Sequence, residues 1–363
     1  RGDGRGGFWR GLGPGRRGRF SAKPARAWRI LRSLAAAPAG QLRRHPIRAL
    51  STILDTARGA TVLLGLAVNT IVLCLVLFLC AVAKLLAVTD SARRRVRRFL
   101  ARLPVAWIAI NNGLFSLMRI TEWDIEIPSD LDRKGCYVVI SNHQSWADVL
   151  ILQRSFNRRL PFFRFFLKDS LIWLPFLGAA WWALDMPFMK RYSRAEIEAR
   201  PELKGRDLEN ARAACEKFSG MPVAMMNFPE GTRFSRDKRD AQSGPYRNLL
   251  APRIGGIGQV LYALADELDA LVDVTIGFPG RGDTPAPTLW EFVSGQVARV
   301  AVRARLVPIP DGLRGRNFRT DPAFRDELER WISSLWREKD ALIPQLESGL
   351  AGGGATAEDQ PPG

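Results

Sequence analysis

CYVVISNHQSWADVL, residues 136 to 150, passes from an apolar run through a polar turn into a helical pattern, and its reading decides the architecture. Tyr137 to Ser141 is predicted to be a short buried strand, because the run is apolar, brief and rich in β-branched residues. Helical pattern resumes at Trp146. The turn between holds His143, one of only two histidines in the chain, and Asp148 follows five residues later. On a regular helix five residues separate two side chains by about 140°. Pairing therefore requires His143 to sit before the helix begins, which Ser145 as N-cap and a start at Trp146 would allow. A histidine whose second nitrogen is fixed by a carboxylate has a set tautomer and becomes a competent base.

Further along, the apolar MPVAMMNF, residues 221 to 228, is again short enough for a strand and ends in Pro229-Glu230-Gly231-Thr232-Arg233. A third strand is expected from Val272 to Phe278. A fourth is expected at 298–306, where Ala298, Val300, Val302, Ala304 and Leu306 alternate with Arg299, Arg303 and Arg305. Helical spacing of Leu208, Ala211, Cys215 and Phe218, stopped by Gly220, separates the first two strands. A last helix is set up by Asp321-Pro322, with Phe324, Leu328, Trp331, Ile332 and Leu335 on one stripe. Strands separated by helices predict an α/β body. In such sheets ligands gather at the carboxyl ends of strands, which is where both polar turns fall. In the second turn Gly231 permits close backbone approach, Thr232 offers a hydroxyl, and the planar fork of Arg233 suits a phosphate. Glu230 is expected to orient that arginine or to take a substrate hydroxyl. The aromatic-dense stretch 159–191, broken by Pro161, Pro175 and Pro187, fits core packing, an acyl-chain groove or a membrane-facing rim.

The net charge of +18 is confined to the N-terminal part of the chain. Residues 1–102 carry 21 Lys/Arg against Asp3, Asp55 and Asp90, which is the whole excess, and the remainder is balanced. A neutral body argues against nucleic acid as partner, because a domain that binds it carries its own basic face. Four divisions follow: a basic, largely flexible arm (1–50), a membrane-inserted segment with a flanking arginine cluster (51–102), an α/β domain (103–347) and a disordered tail (348–363). Ala60 to Ala83 is free of charge, and uncharged runs of about 18 residues or more are membrane candidates. Basic clusters stand on both sides, so a bent or hairpin insertion with Asn69 at the bend keeps both on the cytoplasmic side, against anionic lipid. The start at Arg1 rather than methionine points to an N-terminus upstream or removed. The four cysteines have neither disulfide nor zinc spacing, so reduced thiols and no metal are expected.

The two polar turns together resemble the membrane-bound glycerolipid acyltransferases. His143-Gln144-Ser145-Trp146-Ala147-Asp148, preceded by Asn142, matches that family's HxxxxD block, and Phe228-Pro229-Glu230-Gly231-Thr232-Arg233 matches its FPEGTR block, 87 residues on. The stretch between resembles the family's middle block, whose closing arginine falls on Arg191, and it looks most like the lysocardiolipin and bacterial inner-membrane subgroup. The resemblance implies a mixed central sheet flanked by helices, and acyl transfer without a covalent enzyme intermediate. In that scheme His143 is the base, oriented by Asp148. Arg191, Glu230, Gly231, Thr232 and Arg233 hold the acceptor. The donor is acyl-CoA or acyl-carrier protein, with no further cofactor. The acceptor is a lysophospholipid, 1-acyl-sn-glycerol-3-phosphate first, with a lysocardiolipin-like lipid as the alternative. The site is the cytoplasmic face of a bacterial inner membrane. A non-catalytic lipid-binding membrane adaptor is the reading from another class.

Overall fold

A computed structural model describes residues 46–349, apart from 87–88, 101, 119–120, 175–176, 185, 190–198, 201–208, 211, 214, 216–217, 219, 282–283 and 319. Its first element is one uninterrupted helix, α1 (Pro46–Leu86), about 60 Å long at 1.5 Å per residue. Leu50–Cys80 is long and apolar enough to cross a membrane. The arginine-rich α2 (Asp90–Leu100) and the apolar α3 (Leu103–Leu117) follow. The expected bend at Asn69 is absent. Asn69 continues α1, and its side-chain amide donates to Asn111 Oδ1 (2.7 Å) and to the Trp107 carbonyl (3.0 Å) on α3. An amide in an apolar helix costs free energy unless it is bonded. Here α3 supplies the acceptors, so the residue joins two helices instead of breaking one.

The sheet contains β1 (Glu122–Glu126), β2 (Cys136–Ser141), β3 (Phe163–Phe165), β6 (Val223–Asn227), β7 (Ala270–Gly277) and β8 (Arg299–Val307) in the order β1-β8-β7-β2-β6-β3, while β4 (Leu167–Lys168) and β5 (Phe188–Met189) form a separate pair. Only β7 and β8 run antiparallel, so the sheet is mixed. Among the described residues the helices that complete the domain are α4 (Ala147–Phe156), α5 (Leu177–Ala183), α6 (Arg236–Gln242), α7 (Gly255–Ala263), α8 (Leu289–Val293) and α9 (Pro322–Glu347).

Strand β2 lies between β7 and β6, and all six of its residues are buried, which is why its sequence reads as a continuous apolar run. Val138 and Ile140 point to one layer, with α7 and α9. Tyr137 and Val139 point to the other, with α4, α8 and Phe115 of α3. Val62 of α1 is fully buried in that second layer, so the boundary placed at 102/103 does not separate two packing units. Gly59 lies against Trp290 and Gly65 against Leu114, close approaches that a side chain would block. The opposite face of α1 leaves Leu64, Val68, Ile71, Val72, Leu75 and Phe78 exposed.

Four strands appear where the apolar runs placed them. β1 and β3 are unexpected, because EWDIE alternates acids at the sheet edge and β3 is only three residues within an aromatic stretch. Asp124 of β1 meets Arg303 (2.9 Å) and Arg299 (3.0 Å) of β8. Their hydrogen bonds and charge, those of Arg303 foremost, hold the Asp124 carboxyl below its ordinary range. The last helix starts as its capping residues predict: Asp321 accepts from Phe324 N (3.0 Å) and Pro322 occupies the first turn. α9 docks on β7 through the buried Lys339, whose Nζ is 2.6 Å from Asp273 Oδ1.

Candidate active site

Strand β2 delivers His143 to the edge of the core, and three backbone ties hold it there. The Asn142 side chain donates to the Ile276 carbonyl (2.9 Å) and accepts from Ile276 N (2.9 Å), closing the end of β2 onto β7. His143 N donates to Glu230 Oε1 (2.7 Å), and Phe234 N donates to the His143 carbonyl (2.7 Å). Because β2 and β6 are adjacent and parallel, with Ile140 opposite Asn227, their two polar turns leave the sheet side by side. The loop after β6 therefore wraps the histidine. Phe228 stacks on the imidazole at 4.1 Å.

His143 Nδ1 is 2.9 Å from Asp148 Oδ2, and the same oxygen accepts from Gln144 N (2.6 Å) and Ser145 N (2.8 Å). α4 begins at Ala147, one residue later than expected, with Trp146 at the cap position. The displacement has a physical cause: the Asp148 carboxylate, rather than Ser145, collects the free amides ahead of the helix. The Ser145 hydroxyl accepts instead from Ala147 N (3.1 Å) and donates to the Pro287 carbonyl. Burial raises the Asp148 pKa, opposed by the hydrogen bonds from His143 and the two amides. An oxygen that already accepts two N–H groups is an acceptor toward the ring as well, so Nδ1 carries the hydrogen and Nε2 keeps a lone pair. The His143 side chain is 16% exposed.

Glu230 takes a different place from the one expected. It is fully buried, with Oε1 on His143 N and Oε2 on Leu250 N (3.1 Å), and it neither orients Arg233 nor faces the open side. Burial pushes its carboxyl up to about 7, against the pull of those two amides. Glu230 braces the two loops against each other. The turn beyond it needs Gly231, whose φ of +66° is a conformation side chains rarely adopt. Thr232 Oγ1 accepts from Lys238 Nζ (2.9 Å), which also donates to the Arg233 carbonyl (2.7 Å). The Arg233 guanidinium lies over the Trp146 ring at 4.8 Å.

The structure thus brings together His143, Asp148, Glu230, Gly231, Thr232 and Arg233, while Arg191 lies outside the described residues. Two cations beside the second turn were not foreseen. Lys238 follows Ser235, the N-cap of α6, within SRDK, and Arg253 precedes the glycines that open α7. A basic residue placed just beyond a phosphate-type turn was the available signal. Of the glycines in 255–258, Gly256 makes room for the Asn227 side chain, a packing role. Cys136 and Cys215 are pushed up to about 12, mainly by burial, so neither offers a thiolate near neutral pH.

The sequence model of the Acyltransferase family matches residues 122–277, the span that contains both turns and five of the six strands of the main sheet in whole or part, with β8 beyond it. Residues 122–277 are thus similar to that family. Among curated relatives, the 2-acyl-1-lysophosphatidylinositol acyltransferase of Saccharomyces cerevisiae is 27% identical over 287 residues, covering 64% of this chain and 70% of that protein. The 1-acyl-sn-glycerol-3-phosphate acyltransferase epsilon of Mus musculus is 26% identical over 253 residues, 64% of each. The chain spans about half to two-thirds of the length of most curated relatives it matches, 52% for the gamma form from the same mouse. Among solved structures, the chain is similar to the 1-acyl-sn-glycerophosphate acyltransferase PlsC of Thermotoga maritima, 14% identical, with a TM-score of 0.39 and coverage of 74% of this chain and 97% of that one.

Proposed function

We propose that this acyltransferase moves a fatty acyl group from acyl-CoA or acyl-carrier protein to the free hydroxyl of a lysophospholipid, with 1-acyl-sn-glycerol-3-phosphate the first acceptor and phosphatidic acid the product. The observation that carries the reading is His143, fixed at 2.9 Å by Asp148 and wrapped by a loop that presents cations. The acceptor hydroxyl gives its proton to Nε2 as its oxygen attacks the thioester carbonyl. The tetrahedral intermediate then expels the thiolate, which takes the proton back from the imidazolium. Asp148 stabilises that imidazolium and holds the ring in line. A thioester carries a good leaving group, so no enzyme nucleophile is needed, and no cofactor beyond the donor enters. Arg233, Thr232 and Gly231, with Arg191, grip the acceptor phosphate, and such positioning supplies several kcal/mol.

The exposed apolar face of α1 and the basic residues around it support work at a membrane surface, where the acceptor resides, with the catalytic side cytoplasmic as at a bacterial inner membrane. A second reading keeps the chemistry and changes the headgroup, since one relative is named for a lysophosphatidylinositol acceptor. Purified enzyme incubated with labelled acyl-CoA and a panel of lyso-lipids tests both. His143→Ala is expected to abolish transfer to every acceptor without changing vesicle binding. Residual transfer in that variant at the wild-type rate ends the base assignment.

A further inference from the structure

Beyond the FPEGTR stretch, Arg253 lies over the Gly231 turn. Its N–H donates to the Pro229 carbonyl (2.8 Å), which pins the arginine backbone to the loop. A Cβ on Gly231 would stand 3.3 Å from Arg253 Cδ and 3.5 Å from its Nη1, so the guanidinium stem covers that turn at contact distance. Arg253 is exposed and has no ion pair or side-chain hydrogen bond among the described residues. Of the other cations beside the turn, Lys238 bonds Thr232 and the Arg233 carbonyl, while Arg233 lays its face on the Trp146 ring and keeps its N–H edge for a phosphate. The loop's single carboxylate, Glu230, is buried and committed to two amides. A planar fork held over a glycine turn, beside Arg233 and Lys238 and with no ion pair of its own among the described residues, matches a phosphate monoester.

We propose that Arg253 is a further acceptor-binding residue, gripping the lysophospholipid phosphate from over the Gly231 turn and so selecting phosphorylated over uncharged acceptors. The proposal rests on the lysophospholipid reading above. The same phosphate chemistry exists in acyl-CoA, so both substrates must be varied. In steady-state transfer assays, Arg253→Gln is expected to raise the KM for 1-acyl-sn-glycerol-3-phosphate by about 10- to 100-fold, the range of a charge-assisted hydrogen bond. The acyl-CoA KM and whatever rate wild type shows on monoacylglycerol, which lacks the phosphate, should stay within about twofold, and Arg253→Lys should recover part of the loss. An unchanged acceptor KM overturns the proposal, as does a rise confined to acyl-CoA. Calorimetric titration of wild type and Arg253→Gln with lysophosphatidate micelles reads binding without turnover. Binding that depends on Arg253 in an enzyme that transfers nothing would keep this proposal and sink the catalytic one; binding that ignores Arg253 would do the reverse.

Discussion

At the residue scale, Asp148 and Glu230 are two buried carboxylates with different tasks. Asp148 sets the ring: its Oδ2 gathers Nδ1 and two amides. Asp148→Asn would place a donor or a weaker acceptor opposite Nδ1 and favour the other tautomer. kcat is expected to fall by about 10³- to 10⁴-fold with the acceptor KM little changed, measured in the transfer assay. Glu230 offers a stability signature. Its pKa rises from the ordinary 4.5 to about 7, burial being the main cause. An acid raised in this way binds more protons in the native chain than in the unfolded one between those values. Its contribution is therefore full below about pH 4.5 and is lost as pH climbs through about 7. The unfolding free energy of wild type minus that of Glu230→Gln should fall by about 2 to 3 kcal/mol from pH 4.5 to 8 in denaturant titrations. A difference independent of pH would show that the Glu230 pKa is the same in the folded and unfolded chain.

At the scale of elements, α9 reaches the site from outside the matched span. Asp340 accepts from Arg247 N (3.0 Å) and Asn248 N (2.7 Å), and Trp336 Nε1 donates to the Leu250 carbonyl (2.9 Å). Leu250 N in turn donates to Glu230, and Glu230 holds His143 N. One helix thus steadies a loop that steadies the brace under His143. Asp340→Ala leaves two amides without their acceptor and is expected to cost about 1 to 3 kcal/mol in thermal or chemical unfolding. It should also lower kcat, because the brace loosens while no substrate contact is removed.

For the whole molecule, α1 has two faces with different partners. One buries Val62 and sets Asn69 against α3, and the other exposes a continuous apolar stripe. If that stripe enters lipid, Val68→Arg with Val72→Arg, two half-exposed positions on it, should each cost about 2.5 to 3.5 kcal/mol of insertion. Vesicle flotation is expected to lose the protein while its fold, checked by thermal unfolding, persists. Unchanged flotation would mean that lipid contacts another surface.

Local order along the chain determined a good deal by itself. The runs around Val138, Met225, Val274 and Val302 are apolar and short enough that only buried strands satisfy them, and Asp321-Pro322 caps a helix whatever surrounds it. The pairing of His143 with Asp148 was legible for the same reason, since a five-residue spacing across a turn closes within one local segment. Long-range contacts decided the rest. The acidic β1 forms because β8 brings arginines to it, Asn69 stays helical because α3 supplies its acceptors, and Glu230 turns inward because His143 and Leu250 present amides from segments 87 and 20 residues away. A polar side chain in a core goes where its hydrogen bonds can be completed, and those partners exist only once distant parts of the chain have met.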